Sequence, residues 1–299
     1  MLANFADRLL AAIAAKGSPV CVGVDPVYEK LPAELRQGDA SESQRLGAIG
    51  RYCHALLENV SEIVPAVKPQ SAYFEMYGAE GVALYEQVVR RARELGLIVI
   101  GDVKRNDIGS TAGAYATGHL GREDSVDAVT VNGYLGGDGI SPFAEQAAKT
   151  GRGLFVLVRT SNPSGAAIQD FADATGKKLY EHVAGQVAAL GDRPEFIGAS
   201  GYSCLGAVVG ATYPQEARRL RELMPRQIFL VPGYGAQGAG AGDCAAAFKA
   251  DGTGAIVNAS RSVIFAYADK KYAGLGWQAA IAAAAKAFAA DISGALQGK

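Results

Sequence analysis

The sequence predicts a (β/α)₈ barrel, an α/β fold in which eight parallel strands alternate with helices around one closed sheet. Eight short apolar segments recur along the chain, and segments with helical periodicity separate most of them. Near-continuous runs of Val, Ile and Leu are typical of parallel strands that are buried on both faces. The length of 299 residues suits one barrel of roughly 250 residues with extensions. We therefore expect a single domain over residues 1–299.

The eight apolar segments are the predicted strands. In chain order they cover residues 20–25, 63–68, 97–104, 128–132, 153–160, 205–212, 228–233 and 254–260. Helical periodicity covers residues 43–60, 81–95, 143–150, 177–190, 215–223 and 243–250. An amphipathic helix is expected within residues 1–17, because Phe5, Leu9 and Ile13 are spaced four apart. Eight such units favour the closed barrel over a doubly wound sheet, which usually has fewer strands.

The composition argues against several functional classes. The 29 Lys and Arg residues nearly balance the 30 Asp and Glu residues, whereas nucleic-acid binding needs a basic surplus on one face. Apolar runs fall short of the roughly 18 residues of a membrane span, and the blandest, residues 279–290, contains Lys286. The scattered cysteines and histidines show no metal-ligand spacing. We expect a cytoplasmic protein with no metal, no nucleic-acid partner and no membrane partner.

Polar residues crowd the carboxyl ends of the predicted strands, where barrels of this class carry their catalytic groups. They are Asp25, Lys68, Asp102, Lys104, Asn132, Arg159, Thr160, Ser161 and Arg261. A single residue of this kind could simply be solvated. Their presence after nearly every strand predicts an active site.

The most informative segment is GDVKRNDIGST, residues 101–111. Strand side chains alternate, so Asp102 and Lys104 are expected to point together into the barrel mouth, with Asp107 in the loop that follows. The spacing Asp-x-Lys-x-x-Asp therefore places two carboxylates around one ammonium. Taken alone, the spacing is equally compatible with a structural network of ion pairs, because buried charges need partners.

A glycine-rich segment, PGYGAQGAGAG, covers residues 232–242 after the seventh predicted strand. Backbone N–H groups of such a loop can approach an anion closely, and a following helix start would add partial positive charge. Arg261 follows the eighth strand and has the forked geometry that suits phosphate oxygens. Because the loops after strands seven and eight form the usual phosphate site of this fold, phosphate binding is favoured over an unliganded surface loop.

Seven motifs, in this order, resemble the orotidine 5'-monophosphate decarboxylases, in the bacterial branch with the longer chain. They are VGVDP (22–26), VKPQSAYFE (67–75), DVKRNDIGST (102–111), RTSNPS (159–164), GYSCLGAVVGATYP (201–214), VPGYGAQG (231–238) and NASR (258–261). The similarity extends over nearly the whole chain. Asn106 stands where relatives often have Gly, and Gly133 stands where Pro is common. Neither departure replaces a charged group.

The resemblance implies decarboxylation of orotidine 5'-phosphate to UMP in pyrimidine biosynthesis, without a cofactor. It implies that Lys104 stabilises a carbanion at C6 of the pyrimidine and then protonates it. Asp102 would lie near the departing carboxylate and orient Lys104, and Lys68 and Asp107 would extend the charge array. Asp107 is implied to reach the partner subunit's site, so the resemblance also implies a homodimer with shared active sites.

The substrate contacts are likewise implied by the resemblance. Asp25 and Lys68 would contact the ribose hydroxyls, joined by Thr111 from the other subunit, and Ser161 would bond the pyrimidine edge. The remaining implied substrate-binding residues are Pro232, Gln237, Gly238, Ser260 and Arg261. Of these, Arg261 would grip the phosphate, and Gln237 would bridge the phosphate and the pyrimidine. From the residues alone, Asp25 could instead be a turn residue before Pro26, and Ser161 could form an ST turn.

Three other functions stay open at the level of the sequence. A metal-dependent sugar-phosphate synthase or decarboxylase on a related barrel would need Mg²⁺ and additional acidic ligands. A catalytically silent nucleotide-binding barrel would have lost a member of the charge array, whereas Lys68, Asp102, Lys104 and Asp107 are all present. A Schiff-base aldolase would need a deprotonated Lys104, which two nearby carboxylates oppose.

Overall fold

Eight parallel strands, hydrogen-bonded in the order of the sequence, close into a barrel in the computed structural model, which describes residues 3–235 and 238–298. The strands are β1 (Val20–Val24), β2 (Ala66–Pro69), β3 (Ile98–Arg105), β4 (Ala128–Asn132), β5 (Gly153–Arg159), β6 (Leu205–Val209), β7 (Phe229–Pro232) and β8 (Ala255–Ala259). β1 pairs with both β2 and β8, which closes the sheet. The predicted (β/α)₈ barrel is confirmed.

Helices connect the strands and form an outer layer. They are α1 (Phe5–Lys16), α2 (Glu42–Val60), α3 (Ala72–Glu75), α4 (Gly78–Glu94), α5 (Gly109–Leu120), α6 (Gly137–Thr150), α7 (Ala166–Gln169), α8 (Leu179–Gly191), α9 (Pro214–Leu223), α10 (Ala241–Ala245), α11 (Arg261–Ile264) and α12 (Trp277–Gln297). Short 3₁₀ turns cover Tyr28–Lys30, Ala33–Leu35, Pro163–Gly165, Pro194–Phe196, Ala266–Ala268 and Lys270–Tyr272.

The amino ends of the strands are covered by α1, the amphipathic helix expected near the N-terminus. Phe5 packs edge-on against Phe155 of β5, with ring centroids 5.8 Å apart. Arg8 forms a 2.7 Å ion pair with Asp127, which directly precedes β4. Since α1 occupies this end, the opposite end, formed by the carboxyl termini of the strands, is where a ligand can enter.

The two long helices α5 and α12 were not predicted, nor were the four-residue helices α3, α7 and α11, and one helix prediction was too long. The sequence of α5, GSTAGAYATGHL, is rich in small residues and has no apolar stripe. The sequence of α12 is so rich in alanine that its buried and exposed faces differ little. The helix predicted over residues 243–250 ends at Ala245 in α10.

In the described residues, α12 is long and apolar enough, by length and composition only, to cross a membrane. The expectation from the sequence concerned uninterrupted apolar runs, and Lys286 and Asp291 interrupt the apolar sequence of α12. In the fold, α12 packs on α2 and α10 beside the barrel. Trp277 stacks on Tyr52 of α2 at 5.5 Å, and Ile281 and Phe288 are buried. This packing accounts for the apolar side chains of one face.

Candidate active site

A cavity of about 650 Å³ opens at the carboxyl ends of the strands. Predicted site residues that line it are Asp25, Lys68, Asp102, Lys104, Ser161, Pro232, Ser260 and Arg261. Asp107, Thr111 and Gly238 do not line it, and Gln237 lies outside the described residues. Of the nine polar residues predicted at strand ends, all but Asn132 and Arg159 therefore converge on one site, as the fold class predicts.

Asp102 is the centre of the charge array. Its Oδ2 lies 2.6 Å from the amine of Lys68, and its Oδ1 lies 2.6 Å from the amine of Lys104. The Gln70 amide donates to Oδ2 and the Thr130 hydroxyl donates to Oδ1, each at 3.0 Å. Because both oxygens accept two hydrogen bonds, the orientation of the carboxylate is fixed.

Asp102 and Lys68 are both ionised at neutral pH. Burial opposes ionisation of Asp102, but Lys68 and Lys104 outweigh it and hold the pKa of Asp102 well below its ordinary value. Burial likewise opposes charge on Lys68, yet Asp102 and then Asp25 raise the pKa of Lys68 above its ordinary value. Lys68 is buried, whereas 48% of the Lys104 side chain is exposed. Lys104 is therefore the ammonium that is accessible from the cavity.

The backbone of Lys104 is unusual. Its φ is 45°, and no other non-glycine residue in the described chain has a positive φ. The pairing of β3 with β4 shifts register between Gly101 and Arg105, around this residue. A left-handed conformation costs a residue with a side chain roughly 1–3 kcal/mol, and such strain persists where the surroundings enforce it. The prediction that Asp102 and Lys104 face the same side is confirmed. Regular strand alternation is only part of the reason, because the positive φ of Lys104 and the register shift around it interrupt the regular strand.

The expectation that two carboxylates flank one ammonium is not met within this chain. Asp107 lies beyond the end of β3, and its Oδ1 accepts the backbone N–H of Ile108 at 2.8 Å. Among the described residues, the ion pair of Lys104 is with Asp102 and not with Asp107. The loop passes Gly139 so closely that a Cβ there would be 2.9 Å from the Asp107 carbonyl. Thr111 is exposed on α5, outside the cavity.

Three buried oxygens at the β1–β8 side of the cavity have no hydrogen-bond partner in the described chain. They are Oδ1 of Asp25, Oδ1 of Asn258 and Oγ of Ser260. Gly23 allows Ser260 to lie close to β1, because a Cβ at Gly23 would be only 2.7 Å from Cβ of Ser260. Unpaired buried oxygens are costly, so their grouping indicates a ligand that donates hydrogen bonds. Asp25 is therefore not explained as a turn residue.

The phosphate-side loop differs from its prediction. The N–H of Gly238 donates to the Gly235 carbonyl at 2.9 Å, and the N–H of Gly240 donates to Asp243 at 2.9 Å. The following helix, α10, has five residues. The helix is therefore shorter than expected and its own carboxylate caps it, and the contribution of its start to phosphate binding stays a prediction. Arg261 at the end of β8 supplies positive charge at this end of the cavity.

The segment after β5 separates a structural residue from a cavity residue. Arg159 is fully buried and pairs with Glu216 at 2.5 Å and Asp170 at 3.1 Å. Its guanidinium also lies 4.1 Å from the centroid of the Tyr213 ring. Arg159 thus belongs to an ion-pair network outside the cavity. Ser161, two residues later, lines the cavity instead.

Gln70, Thr130 and Asn258 are site residues that sequence reasoning missed. Gln70 and Asn258 lie inside two of the motifs quoted above. Thr130 is the polar residue in the middle of β4, AVTVN. A buried polar side chain within an apolar strand needs a partner, and this signal could have singled it out. Among the described residues, no group of three or more His, Cys, Asp or Glu is placed to hold a metal ion.

Residues 18–274 match the family described as Orotidine 5'-phosphate decarboxylase / HUMPS family. The orotidine 5'-phosphate decarboxylase of Rhodopirellula baltica is 44% identical over 294 residues, which cover 94% of this chain and 96% of that protein. The Deinococcus radiodurans enzyme of the same name is 42% identical over 269 residues, covering 89% and 91%. The structure of Leishmania donovani OMP decarboxylase is similar with a TM-score of 0.76 at 32% identity, covering 98% and 99%.

Proposed function

Because this chain belongs to the orotidine 5'-phosphate decarboxylase / HUMPS family, we propose that it decarboxylates orotidine 5'-phosphate to UMP with Lys104 as stabilising cation and proton donor. Family membership makes the protein a carboxy-lyase of pyrimidine biosynthesis. The observation that carries the proposed mechanism is the accessible Lys104 ammonium, held 2.6 Å from the Asp102 carboxylate at the cavity.

The chemistry explains why a fixed ammonium is needed. Cleavage of the bond between C6 and the carboxyl carbon releases CO₂ and leaves an electron pair on C6, in the ring plane. Two unit charges ~4 Å apart at an effective dielectric constant of ~20 attract by roughly 4 kcal/mol, which corresponds to about a thousandfold in rate. The ammonium of Lys104 then transfers a proton to C6, which yields UMP. The neutral amine regains a proton from solvent, since its side chain is half exposed.

Asp102 and Lys68 preorganise this step. Asp102 fixes the amine of Lys104, and Lys68 balances the charge on the other carboxylate oxygen. Charges held in place before the reaction stabilise the developing carbanion without the cost of reorganisation. The substrate carboxylate would bind near Asp102, where repulsion between the two anions is relieved as CO₂ leaves.

The rest of the cavity suits a nucleotide. Ribose hydroxyls would donate to the unpaired oxygen of Asp25 and bond to Lys68. Ser161 would bond the pyrimidine edge. Arg261 would bind the phosphate, beside Pro232 and Ser260. Gly238 and Gln237 complete the proposed phosphate-side group, with Gln237 bridging to the pyrimidine.

We also propose a homodimer with shared sites, and the position of Asp107 and Thr111 outside their own chain's cavity supports this proposal. Exposed apolar side chains lie near this loop, including Ile108, Leu135 and Tyr134, the last 77% exposed. If a second copy of the chain covered these side chains, Asp107 and Thr111 of the first copy would reach the cavity of the second copy. The four cysteines are free and buried, which supports a reducing, cytoplasmic setting. We propose that the protein has neither a nucleic-acid partner nor a membrane partner.

The reaction is tested by mixing the purified protein with orotidine 5'-phosphate in buffer that contains EDTA and following the absorbance of the pyrimidine. We expect absorbance to fall as UMP forms, at the same rate with and without the chelator, because no proposed step uses a metal. Activity that appears with added Mg²⁺ and disappears with EDTA would favour the metal-dependent alternative.

The shared site is tested with Asp102→Asn and Asp107→Asn, two variants that are each expected to be nearly inactive. In a mixed dimer one site carries both changes and the other carries neither. After subunit exchange at equal concentrations we expect about a quarter of wild-type activity, since half of the dimers regain one site. If one variant is labelled with ¹⁵N so that native mass spectrometry detects mixed dimers, exchange without any recovery of turnover would show that Asp107 does not cross between subunits.

A further inference from the structure

Thr130 of β4 makes two hydrogen bonds through one hydroxyl. Its side chain is buried, with 1% of the residue exposed. Oγ1 lies 2.9 Å from the backbone nitrogen of Lys104 and 3.0 Å from Oδ1 of Asp102. A backbone N–H can only donate and an ionised carboxylate can only accept. The hydroxyl therefore accepts from Lys104 and directs its proton to Asp102.

These bonds close a ring around Lys104. The backbone N–H of Lys104 is held by Thr130, Thr130 is bonded to Asp102, and Asp102 holds the Lys104 amine at 2.6 Å. Both ends of the lysine are thus tied to the same two side chains. The backbone between them has a φ of 45°, a conformation that persists only where its surroundings enforce it.

We propose that Thr130 is a positioning residue, whose hydroxyl holds the left-handed backbone of Lys104 and the Asp102 carboxylate so that the ammonium is aimed at the reacting carbon. This inference rests on the proposed decarboxylase function and adds a residue to it. Valine has the same branched shape but lacks the hydroxyl. In its place, the N–H of Lys104 would lose its acceptor and the buried Oδ1 of Asp102 would lose a donor.

If the Thr130 hydroxyl only stabilised the fold, its removal would lower the free energy of unfolding just as the loss of a positioning residue would. A matched control variant is therefore required. Ser203 is also 1% exposed, and its hydroxyl accepts the backbone N–H of Leu205 at 3.1 Å. It precedes β6, at the end of the barrel opposite to the cavity. Ser203→Ala therefore removes a buried hydroxyl that accepts a backbone N–H without touching the charge array.

The experiment compares Thr130→Val, Thr130→Ser and Ser203→Ala with the wild type. Misplacement of a reacting group by about 1 Å costs roughly a hundredfold, so we expect Thr130→Val to lower kcat by about 100-fold. KM and the affinity for UMP should stay within about threefold, because the lost interaction acts in the transition state. Thr130→Ser should recover kcat to within about fivefold of wild type, since it keeps the hydroxyl. Ser203→Ala should lower the thermal midpoint and keep kcat.

The outcomes separate the inference from the function on which it rests. If the wild type decarboxylates orotidine 5'-phosphate and folded Thr130→Val, verified by UMP binding, turns over equally fast, the positioning role is overturned and the proposed function stands. If the wild type itself is inactive, the proposed function fails. A crystal structure of Thr130→Val then tests the positioning role separately. The role requires that, in this variant, Lys104 leaves its left-handed conformation and its amine moves away from Asp102.

Discussion

Both faces of β3 carry charged side chains, but the surroundings of these charges differ. On the inner face, Asp102 and Lys104 line the cavity of about 650 Å³. On the outer face, Val103 and Arg105 line a second cavity of about 360 Å³ between β3, α4 and α5. Because strand side chains alternate, one short segment supplies both surfaces.

The pairing of charges distinguishes these faces. Arg105 pairs with Glu75 at 2.8 Å and lies 5.7 Å from the centroid of the Tyr115 ring. On the inner face, one carboxylate serves two amines, and unpaired oxygens such as Oδ1 of Asp25 border the same cavity. Buried charge by itself therefore does not identify a site. Unpaired polar atoms do not identify it either, because Nε of Arg105 and the hydroxyl of Tyr85 border the outer cavity and also lack a hydrogen-bond partner in the described chain. The feature that marks the inner face is the half-exposed amine of Lys104.

The largest effect is expected on the inner face. Lys104→Ala should lower kcat by at least about a thousandfold, because the carbanion loses its nearest cation. Binding of UMP should remain measurable, since the ribose and phosphate contacts are unchanged. Steady-state kinetics and equilibrium titration test both parts. Turnover above about a tenth of wild type would refute the assigned role of Lys104.

The outer face should affect stability through pH. Burial, followed by Arg105, lowers the pKa of His119 to about 4 from an ordinary value of 6.5. Between these values the unfolded chain takes up a proton that the folded chain does not, so the free energy of unfolding falls as the pH drops from 6.5 towards 4. On going from pH 7.5 to about pH 5.5, wild type should lose about 1 kcal/mol more than His119→Gln.

Urea unfolding of both proteins at the two pH values measures this difference. The variant matters because other groups also titrate in the window, and the comparison with wild type isolates the histidine. Equal losses in the two proteins would mean that His119 is protonated in the folded state.

The smallest effect is expected for Arg105→Gln. The Arg105 and Glu75 side chains are 28% and 41% exposed, and ion pairs of this kind contribute about 0.5 kcal/mol to the free energy of unfolding. The kcat should stay within about threefold, because the guanidinium faces away from the reacting groups. Chemical denaturation and steady-state kinetics provide the two values. A tenfold loss of kcat would show that the outer face of β3 affects the reaction on the inner face, and it would contradict the distinction between the two faces.

The strands of the barrel were predictable because apolar runs and their spacing are properties of the sequence itself. The helices α5 and α12 were not, since GSTAGAYATGHL and the alanine-rich segment give almost no periodic signal. Alanine itself favours a helix, so α12 was missed because its sequence lacks periodicity and not because its local preference is weak. The glycine-containing α5, in contrast, depends on packing against α6. Tertiary contacts decide where local preference is weak.

The charge array was predictable in part. Alternation placed Asp102 and Lys104 together, and the sequence motif fixed their identity. The φ of Lys104 and its bond to Thr130 depend on the register between β3 and β4, which local sequence does not encode. Asp107 points elsewhere in its own chain because the strand ends at Arg105, two residues before it. Boundaries of this kind are set by pairing with neighbouring strands.

The contact between β1 and β8 has a consequence for biosynthesis. Val20 is paired with Val257, and the unpaired oxygens of Asp25 and Ser260 come from these two strands. Asp25 directly follows β1 and Ser260 directly follows β8, so one wall of the proposed nucleotide pocket is translated before β2 and the adjoining wall only after β7. While the ribosome is still adding residues before β8, the nascent chain already holds Lys68, Asp102 and Lys104, yet it has no closed pocket to present them to. Ligand binding at the proposed pocket can therefore begin only after β8 has emerged.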